Sequence, residues 1–165
     1  MTQEAVIDLF VENAGNAGAQ AVHAGSTEEL NEVLAGMLDG ASAIYSPGLT
    51  PTERAAQIPP DRRTDDYVNA SACVEEVFGA IAETGSLICS SQGGKIVQAG
   101  LLPTHHIAIV SAENVYEDLD QFFAALGDTP PTNITLETGP SRTADIELTL
   151  TIGVHGPERL SIIVI

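Results

Sequence analysis

The sequence predicts an α/β fold, a sheet covered on both faces by helices. Two observations carry this. Short apolar runs such as His106 to Val110 and Leu160 to Ile165 are bounded by turn residues, as buried strands are. Between such runs lie segments whose apolar residues recur at helical spacing, for example Leu30, Val33, Leu34, Met37 and Leu38, the alternation expected of an α/β chain. At 165 residues and 44% hydrophobic, the whole chain, 1–165, fits one compact domain.

The elements follow in order. Thr2 to Asn13 reads as an amphipathic helix, with Thr2 as N-cap and Gly15 and Gly18 as its end. Gln20 to Ala24 is a short strand. Ser26 with Glu29 forms a capping box for the second helix. Ala43 to Ser46 is a second strand. Residues 47–66, rich in Pro, Thr, Arg and Asp, read as a long loop. Beyond it, Ala70 to Val74 and Ser86 to Ser90 are expected strands. Glu76 to Ala80 and Ile96 to Leu101 are expected short helices, the latter stopped by Pro103. His106 to Val110 is a strand, Val115 to Leu126 a helix and Asn133 to Glu137 a strand. Ser141 to Leu148 reads as a helix start, and Leu160 to Ile165 closes the sheet.

A net charge of -17 repels nucleic acid and anionic lipid, so neither is an expected partner. The acidity fits a solubilising surface or adaptation to high salt. No apolar run reaches the ~18 residues that span a bilayer, and the start Met1-Thr2-Gln3-Glu4 does not look like a signal peptide. The expected location is cytoplasmic. Cys73 and Cys89 stand alone, without Cys-x-x-Cys. No metal site or cofactor is therefore expected in this chain, and the two thiols read as small buried hydrophobes.

Four motifs could carry chemistry. Gly139-Pro140-Ser141-Arg142-Thr143 follows a strand and precedes the expected helix start. Backbone N–H groups and the positive end of a helix favour an anion there. Ser141 and Thr143 add hydroxyl donors, and Arg142 a forked cation. The plainer reading is a capped helix start with Arg142 paired to Asp145 or Glu147. Glu83-Thr84-Gly85 is a turn whose carboxylate could act as a base or nucleophile, or could pair with Arg142. Gly93-Gly94-Lys95 lacks P-loop spacing, but Lys95 could bring charge to the same pocket or stay solvated. His105 and His106 are adjacent on a strand, so they face opposite sides and cannot share one ion. His155 lies in a loop before the last strand. A hydrogen-bonding role is the plainer reading for each histidine. The candidate set is Glu83 and His155 for catalysis, with Thr84, Gly85, Lys95, Gly139, Ser141, Arg142, Thr143 and Asp145 for ligand binding.

Taken in order, Ile81-Ala82-Glu83-Thr84-Gly85-Ser86, Leu101-Leu102-Pro103-Thr104-His105-His106, Thr138-Gly139-Pro140-Ser141-Arg142-Thr143-Ala144-Asp145-Ile146-Glu147 and Gly153-Val154-His155-Gly156-Pro157 resemble the LUD-domain (lactate-utilisation) family, most closely its small C type. The likeness spans about residues 70–165. It implies a three-layer sandwich around a mostly parallel sheet, of the NagB/RpiA/CoA-transferase-like superfamily. It also implies a subunit of a system that oxidises L-lactate to pyruvate, with iron–sulfur clusters carried by partner subunits and a small anionic metabolite as ligand. The alternative is a stand-alone binding or regulatory domain for a phosphorylated or CoA-type metabolite. A CoA-transferase with Glu83 as nucleophile is more remote, since nothing else specifies a CoA site.

Overall fold

The computed structural model describes residues 1–47, 49, 57–97, 100–144, 150–152 and 156–165. Helix α1 (Gln3–Asn16) starts where the Thr2 hydroxyl accepts from the Ala5 N–H. It buries Val6, Ile7, Phe10 and Ala14, one stripe of the helix. Helix α2 (Thr27–Met37) is capped by Ser26, whose hydroxyl accepts from the Glu29 N–H at 3.2 Å. The Glu29 carboxylate reaches back to the Gly25 N–H, so the expected reciprocal cap forms one residue further out.

Five strands, β1 (Gln20–His23), β2 (Ile44–Tyr45), β3 (Ala72–Glu76), β6 (His105–Val110) and β11 (Arg159–Val164), form an all-parallel sheet in the order β1-β11-β6-β3-β2. Central β6 is buried at every residue, which explains its unbroken apolar run after the two histidines. One face of this sheet packs on α2 through Ile107, Ile109 and Ile163. The other packs on α1 and on a second, four-stranded sheet.

That second sheet comprises β4 (Gly79–Ile81), β5 (Ser86–Ser90), β7 (Val115–Tyr116) and β8 (Ile134–Glu137) in the order β7-β4-β5-β8. Ala80, Leu87 and Cys89 face the large sheet. Ile81 and Ile88 face outward, onto Phe122 of helix α3 (Leu119–Ala125). The α/β class and the mostly parallel central sheet are those expected. Splitting off a smaller mixed sheet was not legible, because each of its strands is too short to declare its partner.

Three expectations are corrected. Glu76 to Ala80 is not a helix: β3 runs to Glu76 and β4 begins at Gly79. A five-residue stretch with so few apolar residues fits either period, and Gly79 is extended where a Cβ would lie 2.8 Å from the Asn114 carbonyl. The helix expected from Val115 begins only at Leu119, capped by Asp118. Ser141 to Leu148 does not open as a helix. Arg142–Ala144 is strand β9, antiparallel to β10 (Leu150–Ile152). The Ser141 N–H, which a helix start would leave open, donates to the Pro157 carbonyl at 2.9 Å. Residues 145–149, and two residues of the helix expected at Ile96 to Leu101, lie outside the described residues. Both cysteines are buried free thiols, as expected.

Candidate functional site

The strongest concentration of chemistry lies between the two sheets. In β3 and β6, Cys73 pairs with His106 and Glu75 with Ala108. This register puts Cys73, Glu75 and His106 on the face turned to the second sheet. From that second sheet, Glu137 of β8 and Cys89 of β5 point back. His106 Nδ1 lies 2.7 Å from Glu137 Oε2, and Nε2 lies 3.2 Å from Glu75 Oε1. The thiol of Cys89 is 4.0 Å from the same Glu137 oxygen. His106 is fully buried, and Glu75 and Glu137 are 4% and 6% exposed.

Burial alone would push the His106 imidazole down, but the charge and hydrogen bond of Glu137, with Glu75 on the other nitrogen, hold it up at about 10. It is therefore an imidazolium held between two carboxyl groups. Glu75 Oε1, His106 Nε2 and Glu137 Oε1 have no partner in hydrogen-bond geometry. Such incompletely satisfied buried charge is costly and marks functional-site candidates. Burial and then the carboxylates raise both thiols, so neither is poised as a thiolate.

Glu75 also forms part of the wall of a cavity of about 300 Å³, together with Ser90, Gln92, Lys95, Asn114 and Tyr116. Lys95, the chain's single lysine, donates to the Glu76 carbonyl at its rim. Gly100 packs directly on the trio: a Cβ there would sit 2.6 Å from Glu75 Oε1 and 2.9 Å from His106 Nε2. Among the described residues no group of three or more His, Cys, Asp or Glu is arranged to hold a metal ion.

His105 faces the other way, its Nε2 2.8 Å from the Ser161 hydroxyl. Burial first, then Arg159 and His106, press it down to about 4. The opposite orientations expected of the two histidines are thus observed, each hydrogen-bonded. Their effects on stability have opposite signs. His106, raised from 6.5 to about 10, contributes stability that is complete below 6.5 and lost as pH rises toward 10. His105, depressed from 6.5 to about 4, is neutral in the fold, so stability falls as pH drops from 6.5 toward 4. Denaturant unfolding across pH is expected to show an alkaline decline that His106→Gln flattens and an acid decline that His105→Gln reduces. An unchanged alkaline arm in His106→Gln contradicts this assignment.

The residues singled out in the sequence are placed elsewhere. Glu83-Thr84-Gly85 and Gly139 to Arg142 both converge on the last turn of α1. Asn13 Nδ2 donates to the Ala82 and Glu83 carbonyls, and a hydroxyl chain joins Thr84 to Ser86 at 2.7 Å and Ser86 to Thr138 at 2.6 Å. Arg142 Nη2 donates to the Ala17 carbonyl at 3.0 Å. There the guanidinium complements the negative end of α1, rather than flanking a helix N-terminus. Glu83 is exposed in a cleft it shares with Glu117, Asp118 and Asp120. Lys95 shares its cavity with Ser90, at the opposite end of β5 from Ser86, and so does not join Arg142. Of Thr143 only the backbone is described, and His155 and Asp145 lie outside the described residues. The sequence reading missed Glu75 and Glu137 as site residues. Their signal was a carboxylate inside or closing an otherwise apolar strand, which is rarely buried without a partner.

Comparison with known proteins now bears on this geometry. The family described as LUD domain matches residues 61–165. The chain belongs to the LUD domain family. The matched stretch of the LUD domain holds Glu75, His106, Glu137, Lys95 and Arg142. Similar curated proteins include "Lactate utilization protein C" of Halalkalibacterium halodurans, 38% identical over 91 residues, covering 52% of this chain and 40% of that protein. The protein of the same name in Bacillus licheniformis is 38% identical over 91 residues, covering 52% and 38%. The match thus spans about two fifths of these relatives' own length. A solved structure of a DUF162 family protein from Deinococcus radiodurans is similar over 99% of this chain and 98% of that one, with a TM-score of 0.71 at 22% identity. That likeness concerns the fold of this LUD domain. No helix among the described residues is long and apolar enough to cross a membrane.

Proposed function

We propose that this LUD domain is a subunit of a lactate-utilisation system and supports oxidation of L-lactate to pyruvate together with iron–sulfur partner proteins. The observation that carries the reading is family membership combined with 38% identity to proteins named for lactate utilisation. In this reading the Gly139 to Thr143 loop, with Asp145 two positions further along the sequence, is the contact for an anionic group on a ligand or partner. Its supporting feature is Arg142, an exposed guanidinium that spends one N–H on Ala17 and retains donors suited to a carboxylate. Thr84 and Gly85 hold that loop's support, and Glu83 and His155 are the groups offered for proton handling. The iron–sulfur clusters belong to the partners.

Deleting the gene in its host is expected to abolish growth on L-lactate while leaving growth on pyruvate intact, with recovery when the gene is restored. Normal growth of the deletion strain on lactate refutes the reading. Arg142 donors also suit phosphate, which is the basis of the second reading, a binding or regulatory domain for a phosphorylated or CoA-type metabolite. A thermal-shift comparison separates the two: stabilisation by sugar phosphate or acyl-CoA, and none by lactate, favours the second.

A further inference from the structure

We infer that the cavity at the starting ends of β1, β6 and β11 binds a small zwitterionic α-amino acid, its carboxylate on Arg159 and its ammonium group on Asp39. The site is separate from the buried trio and goes beyond the lactate reading, which it does not require. Two observations carry it, one at the floor of the cavity and one at its rim.

The floor is the His105–Ser161 pair. Both residues are buried, at 4% and 3% exposure, and both line a cavity of about 240 Å³. His105 Nε2 is taken up by the Ser161 hydroxyl, while among the described residues Nδ1 has no hydrogen-bond partner. Burial and the nearby Arg159 keep the ring neutral, so it offers one hydrogen bond and no charge. A buried ring with one nitrogen unused, facing open space, is a group left for a ligand.

The rim sets the ligand class. Arg159, Asp39 and Glu158 line the same space, yet among the described residues no ion pair joins the guanidinium to either carboxylate. Opposite charges held apart around one cavity suit a ligand that carries both. A simple anion would meet Asp39 and Glu158, and a simple cation would meet Arg159. Asp39 follows the end of α2, whose last turn holds no basic residue, so the negative pole of that helix adds to its pull on an ammonium group. Arg159 presents the fork that a carboxylate fits. At about 30 Å³ per water molecule, the space holds roughly eight non-hydrogen atoms, the size of alanine, serine or threonine.

An NMR titration of the full chain with L-alanine, L-lactate and L-alaninamide tests the inference. The three have nearly the same shape, but lactate replaces the ammonium group with a hydroxyl and alaninamide lacks the carboxylate. L-Alanine is expected to shift the amide signals of Gly18 and Gly36, which line the cavity, together with the ring signals of His105. It should bind about tenfold more tightly than either of the other two. Asp39→Asn should erase the preference for alanine over lactate, and Arg159→Met the preference for alanine over alaninamide. Both side chains are exposed, so neither variant should disturb the fold. No shift at Gly18 and Gly36, equal affinity for alanine and lactate, or a preference unchanged in either variant overturns the inference.

Discussion

Replacing His106 with glutamine is expected to destabilise the fold by about 3–5 kcal/mol, the cost of removing one partner from a buried ion pair. For a domain of this size that corresponds to a fall in melting temperature of roughly 6–20 °C. It is a large share of the ~5–15 kcal/mol that holds a typical domain together. The reason is geometric. His106 Nδ1 and Nε2 stand 2.7 Å and 3.2 Å from carboxylates on two different sheets, so the imidazolium is the charge that lets β3, β6 and β8 meet. Glutamine has a similar reach but no charge, and it strands Glu75 and Glu137 in a space walled by Cys89 and neighbouring apolar residues. The loss should shrink as pH falls, because the stranded carboxylates can then take up protons. A triple change, Glu75→Gln with His106→Gln and Glu137→Gln, should recover most of the stability, since replacing all charges is far cheaper than orphaning some. Circular dichroism melts at pH 8 and pH 5 check this. An unchanged melting temperature for His106→Gln at pH 8 rules out a buried ion pair.

Much of the fold was legible because helix caps and buried strands are local signals. Thr2 and Ser26 cap α1 and α2 as their sequence contexts require, and the run from His106 to Val110, rich in β-branched Ile and Val, reads as a strand covered on both sides. The trio itself is not local. Glu75, His106 and Glu137 come from three strands and two sheets, and their meeting depends on which sheet β8 joins. Nothing in Ile134 to Glu137 states that it pairs with β5 rather than extending the parallel sheet. The misread at Ser141 has a different cause. A serine followed by acidic residues is a helix-start pattern, and the β-branched Thr143 was a weaker signal against it. The conclusion that a helix dipole supports an anion at Arg142 fell with that helix. What remains of the motif is a cation at the other pole of a different helix.

This relocation makes the second large effect a glycine rather than a charge. Gly85→Ala is expected to cost about 3 kcal/mol, combining ~1–2 kcal/mol for a left-handed alanine with the strain of overpacking. Gly85 has φ +66°, and a Cβ there would lie 2.3 Å from the Ala14 nitrogen and 2.5 Å from the Asn13 carbonyl carbon. Those are backbone atoms in the last turn of α1, next to the fully buried Ala14, so no side-chain rotation relieves the contact and the helix must withdraw. Gly139 makes a comparable approach, 2.3 Å from the Ala17 carbonyl oxygen, at φ +68°. Arg142→Ala, by contrast, removes one hydrogen bond at an exposed site, and its effect on stability should be a fraction of the glycine's. The pair of measurements separates scaffold from function within one motif. If Gly85→Ala lowers the denaturant midpoint strongly while Arg142→Ala leaves it nearly unchanged, any loss of growth on lactate in Arg142→Ala reports a contact made with ligand or partner. If Arg142→Ala unfolds the chain as Gly85→Ala does, the guanidinium serves the end of α1, and the anion contact proposed for this loop has no independent support.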